Sequence, residues 1–144
     1  MKKVMHIFSR KGRHTVSVSP DTTVLEALRL MSDKNTGSVV IMDNGEYLGL
    51  VTERDYSRKV VLMGKSSNET RVASIMTTNL PTVTEDTSVE ECMQLMSNRN
   101  ARYLPVFNGN NYVGIISIHD VVRETISAQQ ETIDHLHSFI YSNG

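Results

Sequence analysis

Apolar residues in this chain follow two periods, helical and strand-like, and the alternation between them occurs twice. Val24, Ala27, Leu28 and Met31 stand at i, i+3, i+4 and i+7, the stripe of an amphipathic helix, and Val89, Cys92, Met93 and Met96 repeat it 65 positions on. Both helices open on a hydroxyl residue with glutamate three places later (Thr23 and Glu26; Ser88 and Glu91), which predicts capping boxes. Short β-type stretches precede them at 15–19 and 82–84. Apolar strands follow at 38–42 and 103–107, then turns at 43–46 and 108–111, then second strands at 47–52 and 112–117. Each strand pair reads as a hairpin. A second helix starts at Glu53 and ends near Gly64; its counterpart starts at Ile118 and runs without Pro or Gly to about Tyr141.

The two halves are copies. Between 18–58 and 83–123, 13 of 41 aligned positions are identical without a gap. Such self-similarity implies two copies of one supersecondary unit. Each copy is too short for a thick core of its own, so the two are expected to share one about a pseudo-twofold axis. The predicted fold is α/β: two pseudosymmetric β-α-β-β-α repeats packed as one module, with an extended C-terminal helix. The expected boundaries are 1–64 for the first repeat with an N-terminal segment, 65–80 for a linker and lead-in, 81–127 for the second repeat and 128–144 for the helical extension.

Composition narrows the function classes. Over 144 residues the formal net charge is −1, without the basic footprint of a nucleic-acid binder. No apolar run is long enough to span a bilayer, and no signal peptide is read at the start. Cys92 is the sole cysteine and falls on the inward stripe of its helix, which predicts an inert buried thiol and a reducing, cytoplasmic setting. The five histidines lack metal-ligand spacing, and neither common Gly-rich phosphate loop occurs. No catalytic constellation is apparent.

The last helix carries one further pattern. Val122, Ile126, Gln129, Ile133, Leu136 and Ile140 are spaced 4-3-4-3-4, a heptad seam with one polar member. Its second half has no counterpart in the first repeat, so the expectation is self-association, most simply as a homodimer.

The chemistry-bearing motif is also doubled. Gly49, Thr52 and Asp55 recur as Gly114, Ser117 and Asp120, at the junction of the second strand and the second helix. Thr52 and Ser117 suit N-caps, with each aspartate favoured in the first turn. The same geometry suits a ligand: a carboxylate has acceptors for the paired hydroxyls of a ribose, and free amides at a helix start suit phosphate. Arg54, Arg58 and Lys59 follow the first motif, while His119, Arg123 and, before the strand, Arg102 accompany the second. Asp55 with Lys59, at i and i+4, could equally form a surface ion pair.

With these elements in place, the chain resembles a tandem pair of cystathionine-beta-synthase-type (CBS) domains over roughly 4–127, and most of all the small stand-alone bacterial pairs. That resemblance implies adenosine-containing ligands (AMP, ADP, ATP, S-adenosylmethionine or NAD(H)) in clefts between the copies. It implies that Asp55 and Asp120 hold riboses and that Thr52 and Ser117 lie near phosphate. Ser38, Val39, Leu104 and Pro105, with the stretches around Ser17 and Thr82, would wall the adenines. Arg54, Arg58 and Lys59 would face phosphates, and His119 would make the second site narrower or pH-sensitive. Val40 stands where the second copy has Pro105, so the sites are expected to be unequal, the first suiting charged ligands better.

The expected function is a non-catalytic regulatory module that senses adenine nucleotides, acting on its own oligomer or on a client protein. The alternatives are a structural dimerisation subunit with vestigial pockets, an enzyme acting on a nucleotide, and a DNA binder disfavoured by charge.

Overall fold

A computed structural model describes the backbone from residue 1 to 143 and the side chains from 1 to 141. It divides into two units, one of residues Met1–Arg13 with Leu80–Gly144 and one of His14–Asn79. In chain order the elements are α1 (Val4–Lys11), β1 (Ser17–Val18), α2 (Val24–Lys34), β2 (Ser38–Asp43), β3 (Glu46–Thr52) and α3 (Glu53–Tyr56). A single π turn (Ser57–Val61) and a 3-10 turn (Val72–Ser74) follow, then α4 (Val89–Arg99), β4 (Tyr103–Asn108), β5 (Asn111–Ser117) and α5 (Ile118–Asn143).

The unit boundaries differ from those read in the sequence. Residues 1–13 group with the second repeat, and the segment taken as a linker, up to Asn79, groups with the first. Each repeat is thus completed by the lead-in that precedes the other one. Val72 N–H donates to Thr22 O and Val24 N–H to Thr70 O; in the other unit Val4 N–H donates to Thr87 O and Val89 N–H to Lys2 O. The lead-ins match at a spacing of 68, not 65: Val4 with Val72, Ile7 with Ile75, Phe8 with Met76. Val72 and Ile75 join the core formed by Val24, Ala27, Met31, Val39, Ile41 and Val51. Val4, Ile7 and Phe8 do the same beside Val89, Cys92, Met96, Leu104, Val106 and Ile116. Helix α1 itself was not anticipated.

Both hairpins form as the turn chemistry requires. In the first, Asn44 and Gly45 take φ of 50° and 81°, the positive values of a tight primed turn. Both hairpins carry an irregularity at the same place, between Ile41 and Met42 and between Val106 and Phe107. Thr23 and Ser88 accept from the N–H of Glu26 and Glu91, the hydroxyl half of the expected boxes. In α4 the other half differs, because Ser88 Oγ donates to Glu91 Oε1. Asn35 and Asn100 end α2 and α4 in the left-handed region that asparagine tolerates.

One proline explains an asymmetry between the sheets. In the first unit Val40 N–H donates to Val16 O, and β1 pairs parallel with β2 to make three strands. The equivalent of Val40 is Pro105, which has no N–H to give. There the lead strand shrinks to a single bridge, Val83 with Val106, and the sheet has two strands.

Candidate functional site

The doubled strand-to-helix junction is built alike in both units, although the partners differ. Thr52 caps α3: its hydroxyl accepts from Asp55 N–H at 3.1 Å, and Asp55 Oδ2 accepts from Thr52 N–H at 3.0 Å. Ser117 and Asp120 repeat this exchange at 3.3 and 2.8 Å. The reciprocal capping boxes therefore sit at these aspartates, which are 6% and 8% exposed. Glycine is required three residues before each cap, on β3 and β5. A Cβ on Gly49 would lie 2.9 Å from the Thr77 carbonyl oxygen, and one on Gly114 would lie 2.9 Å from the Phe8 ring. Those two positions let each lead-in lie directly on its strand.

The remaining acceptor capacity of the two carboxylates differs. Asp55 Oδ2 also accepts from the Thr52 hydroxyl, and Asp55 Oδ1 accepts from Thr77 Oγ1 at 2.8 Å and pairs with Lys59 Nζ at 2.8 Å. Lys59 further donates to Ile75 O. A carboxylate offers about four lone-pair directions, and Asp55 uses them all. The i, i+4 ion pair considered from the sequence is formed. Asp120 Oδ2 takes Lys11 Nζ at 2.8 Å, and Lys11 also donates to Ile115 O. Among the described residues the charged partner of Asp120 Oδ1 is the Arg123 guanidinium, 3.9 Å away. The second carboxylate is the more open of the two.

The other sequence candidates are scattered in accessibility. Arg58, His119 and Arg102 are exposed, as is Ser17, while Arg54 is half-buried. Lys59 is held in the Asp55 cluster. Val39 and Leu104 are fully enclosed members of their own cores, and Ser38 and Pro105 are buried. Glu53 N–H bonds to Gly37 O and Ile118 N–H to Arg102 O, so the first amide of each helix is already used within its unit. Phosphate recognition would fall on side chains more than on those amides.

The role of Lys11 and the partners of Glu124 are not legible in the sequence. Lys11 supplies the ammonium that Lys59 supplies in the other unit, from a different element. Glu124, at the position equivalent to Lys59, is 1% exposed and receives Arg10 Nε at 3.1 Å, with Lys2 at 3.8 Å. No signal local to Lys11 or Glu124 marks these pairings, because they depend on the exchanged lead-in.

Cys92 lies in the core of its unit. Burial pushes its thiol from 9.0 up to about 11, and the nearby Glu91 carboxylate adds to the effect. The folded state holds the proton more tightly than the unfolded one, so this group's contribution to stability is complete below pH about 9 and is lost as pH rises toward 11. At pH 8 iodoacetamide is expected to leave the native protein unmodified by mass spectrometry and to label it promptly in urea. Rapid native labelling would contradict the packing of α4.

Among the described residues no group of histidine, cysteine or carboxylate side chains could hold a metal ion, and no helix is long and apolar enough to cross a membrane.

Two units of strand hairpin and helices, each bearing a capped aspartate at the hairpin's exit, make up a tandem repeat. A family model for the CBS domain matches residues 3–61 and 72–127, and the chain belongs to that family. The mitochondrial CBS domain-containing protein CBSX3 of Arabidopsis thaliana is 39% identical over 125 residues, covering 83% of this chain and 61% of that protein. The chain thus spans under two thirds of that relative. A candidate signal-transduction protein with CBS domains from Burkholderia ambifaria superposes with a TM-score of 0.84 at 40% identity, covering 89% of this chain and 96% of the other. A hexameric CBS-CP12 protein from bloom-forming cyanobacteria gives 0.72 at 28% identity, over 83% and 66% of the two chains. These relatives are named for their domains and for signalling, not for a reaction.

Proposed function

We propose that the chain is a non-catalytic regulatory module of the cytoplasm that binds an adenosine-containing nucleotide (AMP, ADP, ATP or NAD(H)) and signals through conformational or oligomeric change, as a homodimer or higher homo-oligomer. The observation that carries this is Asp120: a nearly buried carboxylate at a helix start whose Oδ1, among the described residues, has the Arg123 guanidinium as its charged neighbour, 3.9 Å away. The two acceptor directions of Oδ1 suit adjacent ribose hydroxyls, and the exposed His119, Arg123 and Arg102 suit a phosphate group. Asp55 is the second ribose site in this reading, reached when Lys59 turns from the carboxylate to a phosphate oxygen. A nucleotide changes the output only by the difference in its affinity for two states, and about 1–3 kcal/mol of such coupling alters a partner equilibrium roughly 5–150-fold.

A second reading, a structural dimerisation subunit with vestigial pockets, is favoured by the saturation of Asp55. Thermal shift separates the two. AMP, ADP, ATP, NADH and S-adenosylmethionine are each added at millimolar concentration, with inosine as a control. A ligand at 100 times its Kd stabilises by about 2.7 kcal/mol, a shift of several degrees. No shift with any of them leaves the structural reading.

A further inference from the structure

Each capped carboxylate is accompanied by one lysine, and the two lysines are not engaged alike. Lys59 Nζ reaches Asp55 Oδ1 and Ile75 O, both at 2.8 Å, and Thr77 Oγ1 at 3.4 Å. An ammonium has three N–H donors, so these three oxygens use all of them. Lys11 Nζ has two such oxygens among the described residues, Asp120 Oδ2 at 2.8 Å and Ile115 O at 2.9 Å. One N–H of Lys11 is left over. Its side chain is 30% exposed, so solvent and solutes reach it.

The spare donor stands beside an acceptor. Asp120 Oδ2 already accepts from Ser117 N–H and from Lys11, each at 2.8 Å. Its Oδ1 has the Arg123 guanidinium at 3.9 Å, too far for a hydrogen bond. One ion pair thus offers an N–H and a carboxylate oxygen side by side, both within the unit of Met1–Arg13 and Leu80–Gly144. Few groups satisfy both. A phosphate oxygen accepts from the N–H but meets Oδ1 with like charge, and an ammonium donates to Oδ1 but has nothing with which to accept. A hydroxyl does both: its proton goes to Oδ1 and a lone pair of its oxygen takes the Lys11 N–H. The donor is also held in place before any ligand arrives. Lys11 ends α1, whose Val4, Ile7 and Phe8 lie in the core, and Ile115 O ties the ammonium to β5. A group fixed in this way loses little freedom on binding.

We propose that Lys11 is a ligand-binding residue of the second site, donating to one ribose hydroxyl that in turn donates to Asp120 Oδ1. The Lys11–Asp120 pair, and not the carboxylate alone, then selects ribonucleotides against deoxynucleotides and against sugars methylated at that oxygen. Lys59 gives the first site no such selection while it stays on Asp55, having no N–H to spare. The assignment rests on the nucleotide reading above and adds to it the residue that sets sugar selectivity.

Isothermal titration tests it with AMP, 2′-deoxy-AMP, 3′-deoxy-AMP and the corresponding O-methyl derivatives. The proteins are wild type, Lys11→Met and Lys11→Arg, each shown to be folded by circular dichroism. Wild type is expected to bind one of the two deoxy analogues about tenfold more weakly than AMP. The O-methyl derivative at that position should bind no better, because a methylated oxygen still accepts but cannot donate. In Lys11→Met the ratio between AMP and that deoxy analogue should fall about threefold or more, and Lys11→Arg should restore most of it. A purely structural lysine would lower affinity for every ligand alike. An unchanged ratio in Lys11→Met therefore overturns the assignment and leaves the nucleotide reading standing. O-methyl derivatives that both bind as well as AMP overturn it too, since the hydroxyl proton is then idle. If wild type binds none of AMP, ATP and NADH, the nucleotide reading falls and the assignment with it.

Discussion

Replacing Phe8 by alanine is expected to cost about 3–5 kcal/mol and to lower the melting temperature by about 10 °C. Phe8 is 2% exposed and lies on β5 at Gly114, where even a single added carbon would come within 2.9 Å of the ring. It belongs to the core of the second repeat although it precedes the first by sequence. Its loss removes a large apolar surface and leaves a cavity that the strand backbone cannot fill. A companion substitution makes the test specific. Gly114→Ala should destabilise the wild type through overpacking, by about 1–3 kcal/mol, and should cost much less in the Phe8→Ala background, where its methyl enters the vacated space. Urea unfolding of the four proteins gives the coupling. Additive costs, or a Phe8→Ala cost below about 1 kcal/mol, would mean that α1 is not docked on β5.

Asp120→Ala is expected to weaken nucleotide binding about 10- to 100-fold, the effect of losing hydrogen bonds to a charged acceptor worth about 1.5–3 kcal/mol. Some stability goes with it, because Ser117 N–H and Lys11 lose their acceptor. Asp55→Ala carries a heavier structural cost. Four donors converge on that carboxylate, from Thr52 N–H, Thr52 Oγ1, Thr77 Oγ1 and Lys59. The expectation for Asp55 is thus a loss of about 1–3 kcal/mol in folding together with weaker binding. Calorimetry on protein shown to be folded at the working temperature separates these effects. Unchanged affinity in both variants would remove the carboxylates from the site.

Much of this fold was legible because local chemistry and global pattern agree. The stripes of α2 and α4, the Asn44–Gly45 turn and the two hydroxyl caps are each fixed by residues within a few positions of one another. The exchanged lead-ins were not legible. Val4, Ile7 and Phe8 correspond to Val72, Ile75 and Met76 with three extra residues of spacing, so an ungapped comparison hides them. Once that exchange is missed, the partners of Asp120 and Glu124 are missed too, since Lys11, Arg10 and Lys2 all arrive with α1. Pro105 was noticed as a departure between the copies, but its consequence needed the neighbouring strand to be known. The doubled aspartates and their hydroxyl caps are local to each motif, whereas the other donors on their lone pairs, Thr77 for Asp55 and Lys11 for Asp120, come from elsewhere in the chain. Among the described residues the second carboxylate keeps the more available oxygen, Oδ1 with Arg123 3.9 Å away, while Asp55 is engaged by Lys59 and Thr77.

The nucleotide reading rests on ribose hydroxyls meeting these carboxylates, and one comparison addresses that contact alone. Isothermal titration of the wild-type protein with AMP and, separately, with 2′,3′-dideoxy-AMP compares ligands that differ only in those hydroxyls. AMP is expected to bind at least tenfold more tightly. Equal affinities, or no heat from either ligand, would contradict the account.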